Sequence, residues 1–344
     1  MRKVLSRLMQ QAGTCRAPAL LVLLVVFFPI TSHAVQPEGM SEYSLPFGRH
    51  VPETAAFRIA RTMAWLDALD KTTDALSAAS LVQRGAAEAP GRQALVSAVF
   101  TPTVHSTSKA YRVSVQIRLS TPQRTVEDRL RRMLHEREML HLRAEMLKLE
   151  REKAKEARSL IEPPVALRRS LPGGRAAHRA RIDLLAQQLE ALWLLGHILP
   201  QRESGRWHDP QEALPVLQQA TALDPVYAPL QYLQGEVLLQ LDRPQDALTR
   251  LDKALALNPE LAGALYARGL AYLRLQLPTL AERDLSAALT RDTSHAAWWR
   301  ARGALRMIRN ESGPMCEDFT QACAKGDCEG LAVARKRGWC LSEQ

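Results

Sequence analysis

Aromatic side chains make up only 5% of this 344-residue sequence, and the signatures of common catalytic sites are missing. It contains no G-x-S-x-G nucleophile elbow and no glycine-rich phosphate loop. There is no C-x-x-C pair, which removes thioredoxin-like redox chemistry. His135-Glu136 followed by His141 does not make a metalloprotease helix, because the second histidine comes six residues after the first rather than four. The first 34 positions hold no acidic residue. Beyond them no run approaches the ~20 apolar residues that a membrane-spanning helix needs. The sequence therefore offers no catalytic residues, implies no cofactor, and does not read as an enzyme.

What the N-terminus does contain is an export signal. Arg2, Lys3, Arg7 and Arg16 form a basic stretch, Ala19 to Ile30 runs apolar apart from Pro29, and Thr31-Ser32-His33-Ala34 supplies small residues for cleavage after Ala34. An uncleaved anchor is the alternative, but the apolar run has only 12 residues. The formal charge of +10 comes from 46 Lys and Arg against 36 Asp and Glu, and losing residues 1–34 reduces it to +6. Export removes DNA and RNA as expected partners. It also makes the remaining four cysteines disulfide candidates in an oxidising compartment.

Internal periodicity is the strongest signal. Gly235, Gly269 and Gly303 lie 34 residues apart, as do Ala213, Ala247 and Ala281. The same step links Leu217, Leu251, Leu285 and Phe319, and also Ala220, Ala254, Ala288 and Ala322. Within a unit, Ala247, Leu251 and Ala254 share one helical face, and Pro259 ends the helix. Each unit reads as a helical hairpin that cannot bury its apolar face alone, so stacking supplies the core.

These columns resemble the tetratricopeptide repeat (TPR) over residues 183–331, giving about 3.5–4 repeats, with Gly196 opening the first. The turn of that first unit, Pro200 to Pro210, is about five residues longer than the pattern. The resemblance implies a solenoid whose first helices line a groove for a protein or peptide partner. Carried over position by position, the groove residues are Trp193, His197, Tyr232, Glu236, Gln240, Tyr266, Leu270, Arg274 and Arg300. Packing of Tyr232 and Tyr266 between repeats is an equal alternative. One subfamily grips a carboxylate with Lys and Asn here, but Tyr, Glu and Leu stand at those positions.

Cys316, Cys323, Cys328 and Cys340 crowd into the last 29 residues, while Cys15 falls within the export signal. Their spacings of seven, five and twelve do not form the paired knuckles of a zinc site. Three disulfide connectivities are open. Cys323 closes the last repeat helix and Cys328 follows a Lys-Gly-Asp turn, which favours 323–328 with 316–340 across a final helix from Glu329 to Arg337. Such a staple would cap residues 316–344. The phrase resembles the ending of exported repeat proteins of sulfate- and metal-reducing bacteria, which implies a periplasmic location.

The first half differs in character. Residues 35–122 read as a small α/β module: a helix over 51–76, a strand over 111–119, and Leu95–Val104 as its antiparallel partner across a Ser106–Ser108 turn. Residues 123–162 read as a long charged helix in which Met139, Leu142, Met146 and Leu149 fit a coiled-coil seam and a homodimer, with a single long helix laced by pairs such as Glu150–Lys153 as an equal alternative. Residues 163–182 read as a basic linker carrying five arginines and no acid, open to an anionic surface. The fold class is mainly α, a TPR-type solenoid preceded by the α/β module and the charged helix. Two functions fit it: an envelope interaction scaffold, or an assembly factor acting through the N-terminal module and coiled coil.

Overall fold

In a computed structural model the chain falls into two compact units, Met1–Gln36 and Pro37–Gln344. The structure describes residues 40–48, 50–76, 89–120, 137–162, 174–203 and 205–340, all within the second unit. The stretch expected to be an export signal, residues 123–136 of the charged segment and residues 163–173 of the expected linker lie outside the described residues.

A three-stranded antiparallel sheet opens the described chain: β1 (Met40–Pro46), β2 (Thr101–Lys109) and β3 (Arg112–Ser120), in the order β1-β3-β2. On β3 the alternation read from sequence holds, because Val113, Val115, Ile117 and Leu119 are all buried. They join the core of α1 (Glu53–Leu76), where Ala56, Ile59, Ala60 and Ala64 are fully buried. The expected partner strand needs correction. Leu95 to Val99 belong to a helix, α2 (Ala89–Val99), because Leu95, Val96 and Val99 form one buried helical face. The hairpin turns at Ala110 and Tyr111, with φ of 49° and 61°, and not at Ser106–Ser108, which pair with Val115, Ser114 and Val113. Two consecutive left-handed residues match the twist of the flanking strands.

The charged segment is not a free rod. α3 (Arg137–Ile161) is buried along one side, with Met139 and Met146 1% and 2% exposed and Ala154 and Ala157 fully buried. Leu142 and Leu149 are partly buried against the core that holds Met139 and Met146, so among the described residues the expected coiled-coil seam packs on the chain itself. Several of its charges are interfacial: Arg151 donates twice to Asp70 of α1, at 2.6 and 3.0 Å, and Lys153 reaches Gln188 at 2.6 Å. The basic linker also ends early. α4 (Gly174–Ile198) already contains Arg175, Arg179 and Arg181, and Arg181 pairs with Glu156 of α3. α4 spans both halves, since Ile182, Leu185 and Leu189 join the sheet's core while Leu192 and Leu195 join that of the repeats.

The repeats follow as helical pairs: α5 (Pro210–Leu223) against α4, α6 (Ala228–Gln240) with α7 (Pro244–Leu257), α8 (Ala262–Arg274) with α9 (Pro278–Arg291), and α10 (Ala296–Ile308) with α11 (Ser312–Ala324). The glycine column marks where paired helices touch. A Cβ on Gly235, Gly269 or Gly303 would lie 2.7, 2.9 or 2.8 Å from Leu251, Leu285 or Phe319, closer than real Cβ atoms come. Gly196 is the exception, with Met146 of α3 at 4.0 Å as its nearest neighbour. Ala213, Leu217, Ala220, Ala247, Ala254, Ala281 and Ala288 are fully buried and Ala322 is 1% exposed.

Two further columns keep the same step. Asp242, Gln276 and Asn310, the turns between paired helices, have φ of 56°, 59° and 58°. Arg268 bridges Asp284 of its own pair (2.6 Å) and Asp252 of the preceding one (2.8 Å). Arg302 does the same with Asp318 (2.8 Å) and Ser286 (3.1 Å).

A last helix, α12 (Glu329–Lys336), closes the array through a small core of Met315, Phe319, Leu331 and Ala334. Phe319 lies between glycines, because a Cβ on Gly330 would sit 2.5 Å from its ring. Cys316 and Cys340 are at disulfide distance with Cα atoms 5.3 Å apart, and so are Cys323 and Cys328 at 4.0 Å.

Left-handed backbone is unfavourable for a side chain such as that of Gln276 but free for glycine. Gln276→Gly should therefore raise the unfolding free energy by about 0.5–1 kcal/mol. Gly269→Val, which forces a side chain against Leu285, should lower it by about 1–3 kcal/mol. Urea denaturation of both variants checks the pair of signs.

Candidate functional site

Residues expected along a groove stand at equivalent places on α4, α6, α8 and α10, and the structure separates them into three environments. On α6, Tyr232, Glu236 and Gln240 are successive turns of one face, and the chain's own long turn occupies them. After a 3-10 turn at Leu199–Gln201, a minimal hairpin forms from β4 (Arg202–Glu203) and β5 (Arg206–Trp207). The Arg202 side chain is 2% exposed and donates through Nε and Nη2 to both oxygens of Glu236, each at 2.8 Å. The Tyr232 hydroxyl donates to the same carboxylate at 2.6 Å. Gln240 grips the backbone of Trp207 in both senses, accepting from its N–H at 2.9 Å and donating to its carbonyl at 2.7 Å. The extra residues of this turn are what allow it to reach α6. Asp209 then caps α5 by accepting from Gln211 and Glu212.

On α8 and α10 the surface is more open. Tyr266 stacks on Trp298 with ring centroids 5.2 Å apart, the inter-repeat packing weighed as its alternative role. Leu270 is half-buried. Arg274 donates to the Leu239 carbonyl at 2.8 Å and pairs with Asp242, while Arg300 pairs with Asp327 and Glu329 beside the cap. Both arginine side chains stay more than 40% exposed.

On α4, Trp193 and His197 line a cavity of about 380 Å³ between the sheet module and the first repeat helix. Trp65 meets Trp193 edge-on at 5.9 Å, and the Arg61 guanidinium lies 4.2 Å from the Trp193 ring while its charge is held by Glu190 at 2.8 Å. Burial lowers the pKa of His197, so its imidazole is neutral at pH 7, with Nδ1 2.9 Å from the Trp193 carbonyl. Arg143 and Glu150 of α3 line the same cavity. Burial pushes the Glu150 carboxyl up to about 7, against the opposing pull of Arg143, Arg61, an N–H from Trp65 and Arg151.

Sequence reasoning missed Arg202, Trp207, Arg143 and Glu150. The long turn was the available signal for the first two. For the others it was a cation and an anion seven residues apart beside the Met139–Met146 seam. Among the described residues no group of three or more His, Cys, Asp or Glu side chains is placed to hold a metal ion.

Glu150 links stability to pH. Its carboxyl titrates near 4.5 unfolded and near 7 folded, so the folded state binds the extra proton between those values and stability falls as pH rises through them. Glu150→Gln removes this dependence. The variant should gain about 2–3 kcal/mol on the wild type between pH 5 and pH 8, measured by denaturation at both.

Residues 208–262 and 232–296 match the family described as "Tetratricopeptide repeat". No curated protein matches the chain. Among solved structures it is similar to YrrB, titled a TPR protein with an unusual peptide-binding site, at 18% identity over 47% of this chain and 80% of that one, with a TM-score of 0.35. It is also similar to MamA from Desulfovibrio magneticus RS-1, at 21% identity over 52% of this chain and 97% of that one, with a TM-score of 0.34. The first TPR domain of human RPAP3 is 21% identical over 33% of this chain and 91% of that one, with a TM-score of 0.31. Residues 208–296 of this chain are tetratricopeptide repeats.

Proposed function

We propose that this chain is a non-enzymatic protein-interaction scaffold of the bacterial cell envelope, which binds a partner segment along the first helices of its repeats. Tetratricopeptide repeats are in general interaction scaffolds, and the fold is typically not catalytic. The observation that carries the reading is the hairpin on α6. There an extended stretch of polypeptide is held by an arginine in a Tyr232–Glu236 pocket and by a two-way amide clamp from Gln240. The repeat step carries those positions onto Tyr266, Leu270 and Arg274, with Arg300 following on α10, and the partner surface is assigned to α8 and α10 because the Arg274 and Arg300 side chains there stay more than 40% exposed. The envelope location rests on the export signal and on the two cysteine pairs at disulfide distance. An assembly role through the N-terminal module and a coiled coil is the weaker reading, because Met139 and Met146 are buried in their own chain.

Affinity capture from envelope extract with the full chain should recover a partner that is lost when Tyr266, Leu270 and Arg274 are replaced together by alanine. Unchanged capture by the triple variant would overturn the surface assignment. Exported protein should begin at Val35 by mass and show no free thiol under denaturing conditions; four free thiols would defeat the oxidising-compartment reading.

A further inference from the structure

The cavity between the sheet module and α4 has a chemistry that the partner-binding reading does not use. Its volume of about 380 Å³ falls in the range of small-molecule sites. Trp65, Phe100, Met146 and Leu147, all buried, and the partly buried Trp193 give it apolar walls, three of them aromatic. The opening has an origin in the sequence. Where the later glycines are closed by Leu251, Leu285 and Phe319, a Cβ on Gly196 would meet nothing nearer than Met146, at 4.0 Å. Gly196 lines the cavity, so its missing side chain leaves room instead of a close helix contact.

The charges at the wall are answered within the protein. Arg143 and Glu150 act on each other, and Arg202 is bound to both oxygens of Glu236. Arg61 and Arg151, which also pull on Glu150, are held by Glu190 and Asp70. Glu203 is partly in solvent beside His208. A ligand bringing a full charge would lose its water with no countercharge waiting for it, an unfavourable exchange. The wall therefore selects an uncharged molecule.

One hydrogen-bonding position is left for such a molecule. The Trp193 carbonyl can only accept, so His197 Nδ1, 2.9 Å away, carries the ring proton, and Nε2 of the neutral imidazole is an acceptor. His197 lines the cavity, and among the described residues no donor meets its Nε2. Aromatic walls favour an aromatic guest, which meets them in offset or edge-on contact. An apolar cavity of about 150 Å³ holds one benzene ring. At about 380 Å³ this one has room for two fused rings.

We propose that this cavity binds an uncharged aromatic molecule of two fused rings that carries one N–H or O–H. That group donates to Nε2 of His197, and the rings lie among Trp65, Phe100, Met146 and Leu147. The site is separate from the α8–α10 surface, so its occupancy does not depend on a protein partner.

Calorimetric titration of the full chain with indole tests this, and binding below millimolar concentration is expected. 1-Methylindole, which lacks the N–H, should bind at least fivefold more weakly. Indole-3-acetate and tryptamine, which add a charge of either sign, should each bind at least tenfold more weakly, as should decahydro-2-naphthol, an uncharged alcohol without aromatic rings. His197→Phe keeps a ring beside Trp193 but removes the acceptor, and should bind indole and 1-methylindole within twofold of each other. Gly196→Leu keeps the backbone carbonyl that Arg143 uses and fills the room, so it should weaken indole at least tenfold without lowering the urea midpoint. Should that variant fail to fold, His197→Phe decides alone. Absence of binding at millimolar indole, or equal binding of 1-methylindole, of either charged derivative or of the aliphatic alcohol, would overturn the proposal. So would a preference for indole that survives His197→Phe, or unchanged binding in folded Gly196→Leu.

Discussion

The buried guanidinium of Arg143 is the tie on which the arrangement of the two halves depends. From the middle of α3 it reaches Ser97 at the end of α2 and the Gly196 carbonyl near the end of α4. One side chain thus joins the sheet module, the charged helix and the first repeat helix. Burial lowers its pKa to about 10, which leaves it charged at neutral pH. A charge held there is stable only while its neutral acceptors keep their places. The apolar packing around it runs in both directions, since α3 and α4 contribute residues to the core of the sheet and to the core of the repeats.

The repeats were legible because their signal is redundant. A 34-residue step repeated in four columns survives the loss of any one member, and glycine against leucine has a single steric meaning. The α3 seam was legible as a seam but not as to its partner. A 3-4-3 apolar spacing states that a helix has one buried side; it does not state whether a second copy or the chain's own α4 covers it. The charges of α3 are not all spent on solvent, since Arg151 and Lys153 reach Asp70 and Gln188 of neighbouring helices. Long basic side chains can cover apolar surface and still reach a polar partner, so composition alone does not expose them.

The α/β boundary failed for a different reason. Leu95 to Val99 is short and apolar enough for either state, and only tertiary packing against α1 and α3 decides for helix. The turn at Ala110–Tyr111 carried no glycine or asparagine to announce its left-handed backbone, whereas the serines at 106–108 imitated a turn and stay in the strand. At the candidate site, the positions transferred from the repeat pattern lie on α4, α6, α8 and α10. Their occupancy was invisible because it comes from the one turn that departs from the repeat.

The bridges made by Arg268 and Arg302 bear on how the array comes apart. Each arginine belongs at once to its own helical pair and to the second helix of the pair before it. Removing a pair would therefore strip its neighbour of a hydrogen-bonding partner as well as of apolar cover. In a one-dimensional stack this adds to the coupling between neighbours rather than to the stability of single units. Such an array loses structure over several pairs together, and the pairs are not interchangeable modules that can be trimmed from an end one at a time.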